Sequence, residues 1–154
     1  RSLIRTENPS MFITFFAGVL NLNTHRLRFC NAGHPYPVLI APDGTVSFFK
    51  TNDNLPLGVT SDYEYEEQEC YFAPGSQLVL YSDGVSEAQN EQSRFYKVDR
   101  FFNFIANNAD LAPRELVENV IANVDAFVGG AEQSDDLTVM SFRFKSRTKS
   151  RGAL

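Results

Sequence analysis

The stretch that decides the fold is QLVLYSDG, residues 77–84, in which five mostly apolar residues typical of a buried strand end in an acidic turn. A second stretch, SDDLTVM at residues 134–140, has the reverse order, with Asp135 and Asp136 directly before an apolar run. A carboxylate at the end of a buried strand is costly unless a cation pairs with it. Because carboxylate oxygens are preferred ligands of hard divalent ions, the two acidic turns predict a Mg²⁺ or Mn²⁺ site.

Asp83 taken alone is ambiguous, because Asp-Gly is also a common turn dipeptide. Asp43-Gly44 lies between two short apolar runs, where a hairpin turn is the better interpretation. Asp135 and Asp136 strengthen the prediction of a metal site, since adjacent like charges repel unless they are exposed or neutralised by a cation. Neighbouring residues of a strand point to opposite sides, so Asp135 is the better direct ligand. Asp136 would then hold a metal-bound water or cap the loop, and the alternative is a simple exposed loop.

Water in the remaining coordination positions would have a lowered pKa, so the pattern favours metal-assisted hydrolysis of a phosphoester. His34, in the run Asn31-Ala32-Gly33-His34-Pro35, has two interpretations. It is a general acid for the leaving group, or it belongs to a tight turn in which Gly33 supplies the unusual backbone angle; the turn is favoured. The sequence has no Gly-x-Ser-x-Gly elbow and no Gly-rich phosphate loop, which argues against a serine nucleophile and against those routes of nucleotide binding.

Length and charge bound the class of protein. The chain has 154 residues and a net charge of −5, from 14 basic and 19 acidic residues, which favours one domain and disfavours nucleic-acid binding. We expect the domain at residues 1–145 and a disordered basic tail at 146–154. Cys30 and Cys70 lie in strand-like runs and are expected to be reduced and structural. No apolar run approaches the roughly 18 residues of a membrane span, so we expect no membrane contact from this segment and a cytoplasmic location.

The periodicity of apolar residues changes from strand to helix along the chain. Residues 11–20 predict a strand buried on both faces, the runs at 27–31, 36–41 and 46–49 predict an antiparallel meander, and 63–72 predicts an exposed strand near a sheet edge. Helices are predicted over 98–105 and from Pro113 to Val128, ending before Gly129. A last strand follows at 137–144. This order predicts an α+β fold.

Five blocks of this sequence, taken in order, resemble the bacterial SpoIIE/RsbU-like branch of the PPM-type (type 2C) serine/threonine phosphatases. The blocks are residues 11–14 with 18–20, 31–35, 55–58, 81–88 and 133–138. The resemblance implies an antiparallel β-sandwich flanked by helices, with two Mn²⁺ or Mg²⁺ ions that activate a water to hydrolyse phosphoserine or phosphothreonine. It also implies that Asp83 and Asp135 are catalytic metal ligands, with Asp136 beside them.

The same resemblance implies partners: a phosphorylated anti-anti-sigma-factor protein as substrate, and an N-terminal sensor or receiver domain. One departure is clear, because the family's Asp-Gly motif near the start of the domain, which supplies the carboxylate bridging both ions, has no match in this sequence. We therefore expect an N-terminally truncated domain that binds metal weakly and has little activity by itself. The alternatives are a non-catalytic phosphatase-fold module for partner binding or self-association, such as a homodimer, and a structural Ca²⁺ site.

Overall fold

Two antiparallel sheets and three helices make up residues 12–145, the part of the chain that the computed structural model describes. In chain order the elements are β1 (Phe15–Asn21), β2 (Arg26–Ala32), β3 (Val38–Ile40), β4 (Val46–Phe48), β5 (Gln68–Tyr71), β6 (Gln77–Tyr81), α1 (Asp83–Ser86), α2 (Val98–Ala106), α3 (Pro113–Val128) and β7 (Val139–Arg143). The short helix α1 was not predicted. None of the helices in this part is long and apolar enough to cross a membrane.

The strands are divided between a sheet in the order β4-β3-β6-β7 and a sheet in the order β1-β2-β5. The prediction of one continuous meander is therefore wrong: β1 pairs with β2 and β3 pairs with β4, but the chain changes sheets between β2 and β3. The change occurs at residues 33–37, where Gly33 has a φ of +72° that L-residues rarely adopt. The hairpin predicted at Asp43-Gly44 is confirmed as the β3–β4 turn.

Strand β6 lies at the centre of the molecule, and all five of its residues are buried. Leu78 and Leu80 face the three-stranded sheet, where they belong to an apolar cluster with Leu27 and Phe29 of β2. Val79 and Tyr81 face the opposite way, into the cluster that the helices cover with Phe101, Ile105, Leu116, Val120 and Val124. The molecule therefore has a layer of helices, a four-stranded sheet and a three-stranded sheet, which confirms the α+β class. Among the described residues, helices cover only the four-stranded sheet.

The first strand differs from its prediction in burial. β1 begins at Phe15 and pairs only with β2 within residues 12–145, and the side chain of Val19 is 72% exposed. The apolar run at 11–20 therefore forms an edge strand with one exposed face, not a strand buried on both faces; Met11 lies outside the described residues. The prediction for residues 63–72 is confirmed in part, because β5 is an edge strand but covers only Gln68–Tyr71.

The predicted start and end of helix α3 are both confirmed. Pro113 is the first residue of α3, and Gly129 follows its last residue with a φ of +64°. Both cysteines are free thiols in neighbouring strands, as expected, and burial raises the pKa of each. The basic tail expected at 146–154 lies outside the described residues.

Candidate metal centre

Asp83 lies where the buried strand β6 gives way to helix α1. Its carbonyl oxygen accepts hydrogen bonds from the Glu87 amide at 2.8 Å and from the Ser86 hydroxyl at 3.1 Å. Its carboxylate oxygen Oδ1 accepts a hydrogen bond from the Gly84 amide at 3.1 Å. The residue is exposed, so its main chain is fixed by the helix while its carboxylate remains accessible.

Asp135 and Asp136 lie in the turn that leads into β7, and both are exposed. The Asp135 carboxylate accepts a hydrogen bond from the Asp136 amide at 2.7 Å, and the Asp135 carbonyl accepts one from the Gln133 side-chain amide, also at 2.7 Å. The turn is therefore held by its own polar groups and does not depend on a basic side chain.

Ser82 joins the two acidic turns. Its hydroxyl donates a hydrogen bond to the Asp136 carbonyl at 3.1 Å and accepts one from the Thr138 amide at 3.0 Å. Its own amide donates to the Thr138 carbonyl at 3.0 Å, which extends the β6–β7 pairing by one residue. The sequence argues against a serine nucleophile, and it indicates no other role for Ser82. The structure gives it a positioning role that could have been inferred only from knowing that β6 and β7 are neighbours.

Gly84 allows the two turns to approach closely. A Cβ atom at this position would lie 2.3 Å from the Asp136 carbonyl oxygen and 3.6 Å from the Asp135 Cβ. Since real Cβ atoms essentially never show contacts under 3.0 Å, only glycine fits here without a shift of the main chain. The structure thus brings Asp83 and Asp135 to the same end of the sandwich.

The turn that carries His34 is held by the buried side chain of Asn31. The Asn31 carboxamide oxygen accepts from the His34 amide at 2.8 Å, and its nitrogen donates to the His34 carbonyl at 2.9 Å. Burial lowers the pKa of His34 from its ordinary value of 6.5, and the negative charge of Asp83 partly opposes this shift. The turn is confirmed by these two hydrogen bonds and by the φ of +72° at Gly33, whereas a role of His34 as a general acid stays a prediction.

Two further buried polar residues support this turn, and the sequence did not single them out for it. Thr51 accepts a hydrogen bond from the Asn31 side chain at 2.8 Å. Asn54 donates to the Asn31 carbonyl at 3.0 Å and accepts from the Glu66 amide at 3.0 Å. The loop that begins at Asn54 also packs on Gly33, where a Cβ would lie 2.6 Å from Pro56. The loop is therefore packed against the turn that carries His34.

The donor set of the two turns suits a hard divalent cation. Asp83, Asp135 and Asp136 have only oxygen ligands to offer, and none is within 4.0 Å of a basic side chain in the part of the chain that the structure describes. Residues 12–145 contain no group of three His, Cys, Asp or Glu side chains gathered closely enough to hold a metal ion. The two turns therefore fit part of a metal centre, with room for water or further ligands.

The chain has a sandwich of two antiparallel sheets with acidic turns at one end. This architecture is the PP2C-type phosphatase fold. The SiaA-PP2C domain of Pseudomonas aeruginosa has this fold, with a TM-score of 0.72 and 24% identity over 92% of this chain and 56% of that chain. The Mn-presoaked phosphatase domain of SpoIIE from Bacillus subtilis has a TM-score of 0.63 and 17% identity, covering 88% of this chain and 58% of that chain.

The family model "Stage II sporulation protein E (SpoIIE)" matches residues 1–145, and the chain therefore belongs to the SpoIIE family. Among curated relatives, phosphoserine phosphatase RsbU of Bacillus subtilis (strain 168) is 26% identical over 145 residues, which cover 94% of this chain and 43% of RsbU. The chain thus spans less than half the length of this relative.

Proposed function

We propose that the protein containing this chain is a metal-dependent phosphatase that removes phosphate from phosphoserine or phosphothreonine in an anti-anti-sigma-factor-type protein. The observation that carries the proposal is the Ser82 hydroxyl, which ties the Asp136 carbonyl and the Thr138 amide to the end of β6. This bridge ties the turn that contains Asp135 and Asp136 to the strand end that precedes Asp83, which supports the proposal that both turns contribute to one site. Membership of the SpoIIE family and similarity to RsbU, which is named a phosphoserine phosphatase, support the same reaction.

In this proposal Asp83 and Asp135 ligate Mn²⁺ or Mg²⁺ directly, and Asp136 acts through a water. When bound, the ions lower the pKa of the attacking water and neutralise charge that develops on the phosphoryl oxygens. The Mn-presoaked structure of the SpoIIE phosphatase domain supports this choice of ion. Ser82 and Gly84 act as positioning residues, because they set how closely the two turns approach.

His34 contributes through its charge state. Burial lowers its pKa below 6.5 and so favours the uncharged ring, while the negative charge of Asp83 opposes that shift. A neutral ring leaves the carboxylate available to a divalent ion. The cavity of about 400 Å³ between α3 and Asp135, with Ile121 and Leu137 among its apolar lining residues, offers space for a substrate side chain next to the phosphoserine.

The two Asp-Gly dipeptides provide a matched test. Phosphate release from a phosphoserine peptide is measured with the full-length protein and Mn²⁺, for the wild type and for Asp83→Asn, Asp135→Asn and Asp43→Asn. We expect the first two substitutions to lower kcat/KM by about a hundredfold or more. Asp43→Asn should leave it nearly unchanged, because that side chain only accepts the Thr45 amide in the β3–β4 turn. Full activity of Asp83→Asn, or an equal loss in Asp43→Asn, would refute the assignment.

A second candidate function, a non-catalytic binding module, is favoured by one observation. The exposed face of β1 presents Phe15 and Val19, which are 50% and 72% exposed. Under this alternative the protein would self-associate or bind a partner through β1 without hydrolysing phosphoserine. Phosphate release by the wild type, together with unchanged activity in Val19→Ser, would favour the phosphatase.

We extend the first proposal to regulation: a sensor or receiver domain in the same protein would control the activity of this phosphatase domain. Under this proposal the relevant protein for every activity assay is the full-length one, because the chain covers 43% of RsbU. The 154-residue chain assayed in parallel should bind Mn²⁺ more weakly and release phosphate more slowly.

A further inference from the structure

A wide groove lies on the side of α3 away from the acidic turns. It has a volume of about 1140 Å³ and runs between α2, α3 and the loop at residues 90–97. The groove and the cavity beside Asp135 share no lining residue, and on α3 they use different positions, with Asn123 and Phe127 in the groove and Ile121 and Val128 in the cavity. The groove is therefore a separate surface from the candidate metal centre.

The groove is locally basic on an acidic protein. Arg94, Lys97 and Arg100 line it, whereas Asp99 is its one acidic lining residue among those described. None of the three basic side chains lies within 4.0 Å of a carboxylate in residues 12–145. The whole chain has a net charge of −5, so this concentration of cations runs against the overall balance. Cations that have no carboxylate partner among the described residues, gathered in a concave surface, favour an anionic ligand.

Aromatic side chains hold one of these cations in place. The Arg100 guanidinium carbon lies 4.5 Å from the centre of the Phe127 ring and 5.6 Å from that of Tyr96. Tyr96 is fixed in turn by a 2.5 Å hydrogen bond from its hydroxyl to Asn123. A guanidinium that stacks on an aromatic face keeps its N–H groups free to bind a carboxylate at two points. Phe95, 48% exposed, adds an apolar contact at the same groove.

The loop that carries these residues is held in a costly conformation. Lys97 has φ 70° and ψ 152°, a region that is essentially restricted to glycine, and Ser93 has a φ of +56°. The loop is nevertheless anchored, because the Lys97 amide donates to the Ser86 carbonyl and the Tyr96 amide to the Ala88 carbonyl, each at 2.8 Å. Backbone strain that is retained in an anchored loop is typical of binding surfaces.

We propose that this groove binds an acidic segment of a partner protein. Carboxylates of the segment pair with Arg94 and Arg100, and an apolar side chain packs on Phe95. Asn103 and Asn107, which also line the groove, supply side-chain amides for the backbone of an extended peptide. The groove is concave and contains an exposed aromatic ring, which suits an acidic peptide with apolar residues better than a uniformly charged polyanion. This binding does not require phosphatase activity.

Fluorescence anisotropy with the full-length protein tests the proposal. The probe is a fluorescein-labelled peptide of alternating glutamate and leucine, and the comparison peptide has lysine in place of glutamate. We expect the acidic peptide to bind and the lysine peptide not to bind. The affinity for the acidic peptide should fall as salt is added. The double variant Arg94→Glu/Arg100→Glu should lose about tenfold or more in affinity. Lys50→Glu makes the same kind of charge change at an exposed residue outside the groove and should change affinity less than about twofold.

Phe95→Ser keeps every charge and should lower the affinity for the acidic peptide several-fold. It therefore tests the groove even if the double variant does not fold. Four outcomes would overturn the proposal. The first is no binding of the acidic peptide at millimolar concentration, and the second is an equal loss of affinity in Lys50→Glu and in the groove variants. The third is tighter binding of a single-stranded oligonucleotide than of the peptide. The fourth is a dimer in sedimentation that the groove variants convert to a monomer, which would assign the groove to a second copy of the chain.

Discussion

Replacing Gly84 by alanine should separate the two acidic turns. The new Cβ would lie 2.3 Å from the Asp136 carbonyl oxygen, and ordinary contact begins near 3.4 Å, so the turn at Asp135 must move by about 1.1 Å. That displacement would stretch the hydrogen bonds that Ser82 makes to the Asp136 carbonyl and from the Thr138 amide, now 3.1 Å and 3.0 Å. The atoms in the way belong to the main chain, so no side-chain rotation relieves the clash.

The expected cost follows from these contacts. Overpacking costs about 1–3 kcal/mol, and each weakened hydrogen bond costs about 1 kcal/mol. Alanine in place of glycine in helix α1 returns about 0.5–1 kcal/mol. The free energy of unfolding should therefore fall by about 2–4.5 kcal/mol, which a urea titration followed by circular dichroism measures directly. Mn²⁺ affinity, measured by isothermal titration calorimetry below the unfolding transition, should also fall.

Gly130→Ala is the matched control. Its new Cβ would lie 2.6 Å from the Glu91 carboxylate, which is the far end of a long side chain and can move away. We expect a change under about 0.5 kcal/mol and unchanged Mn²⁺ affinity. If Gly84→Ala were as stable as the wild type and bound Mn²⁺ equally well, the reasoning from close approach would be refuted.

Three further predictions concern stability. Lys97→Gly should raise the free energy of unfolding by about 1 kcal/mol or more, because glycine adopts φ 70° and ψ 152° without strain; a urea midpoint that falls would contradict this. Asn54→Ala should cost about 2–4 kcal/mol in the same titration, because it leaves the buried Asn31 carbonyl and the Glu66 amide without their side-chain partner, and a loss under 0.5 kcal/mol would be inconsistent with that network. The folded-state pKa of His34 lies below 6.5, so just below that pH the unfolded chain binds more protons than the folded one. The contribution of His34 to stability is therefore present above pH 6.5 and is lost as the pH falls. His34→Gln should reduce the slope of the free energy of unfolding against pH in that range, and an identical slope would exclude His34 as its source.

The sequence predicted elements whose signals are local. Pro113 and Gly129 mark the ends of α3 because proline suits the first turn of a helix and glycine adopts a positive φ after the last. The apolar run of β6 indicated burial on both faces because its residues alternate between two apolar layers. In β1 the same kind of apolar run did not correspond to burial, since the sequence does not show which faces of a strand are covered.

The candidate site was predictable only at the level of its acidic residues. That β6 and β7 are neighbours depends on the packing of the whole sheet, and this pairing places the turn at Asp135 against Gly84. Ser82 and Asn54 have no sequence pattern that indicates their roles, because both act through main-chain groups of distant segments. The change of sheet after β2 was missed for the same reason.

The location of bound Mn²⁺ tests the central claim most directly. A crystal of the full-length protein soaked in Mn²⁺ and measured near the manganese absorption edge should give an anomalous difference peak. We predict this peak within about 2.5 Å of a carboxylate oxygen of Asp83 and of Asp135. A well-ordered crystal with no peak beside either residue, or with its peak at another part of the molecule, would contradict the account.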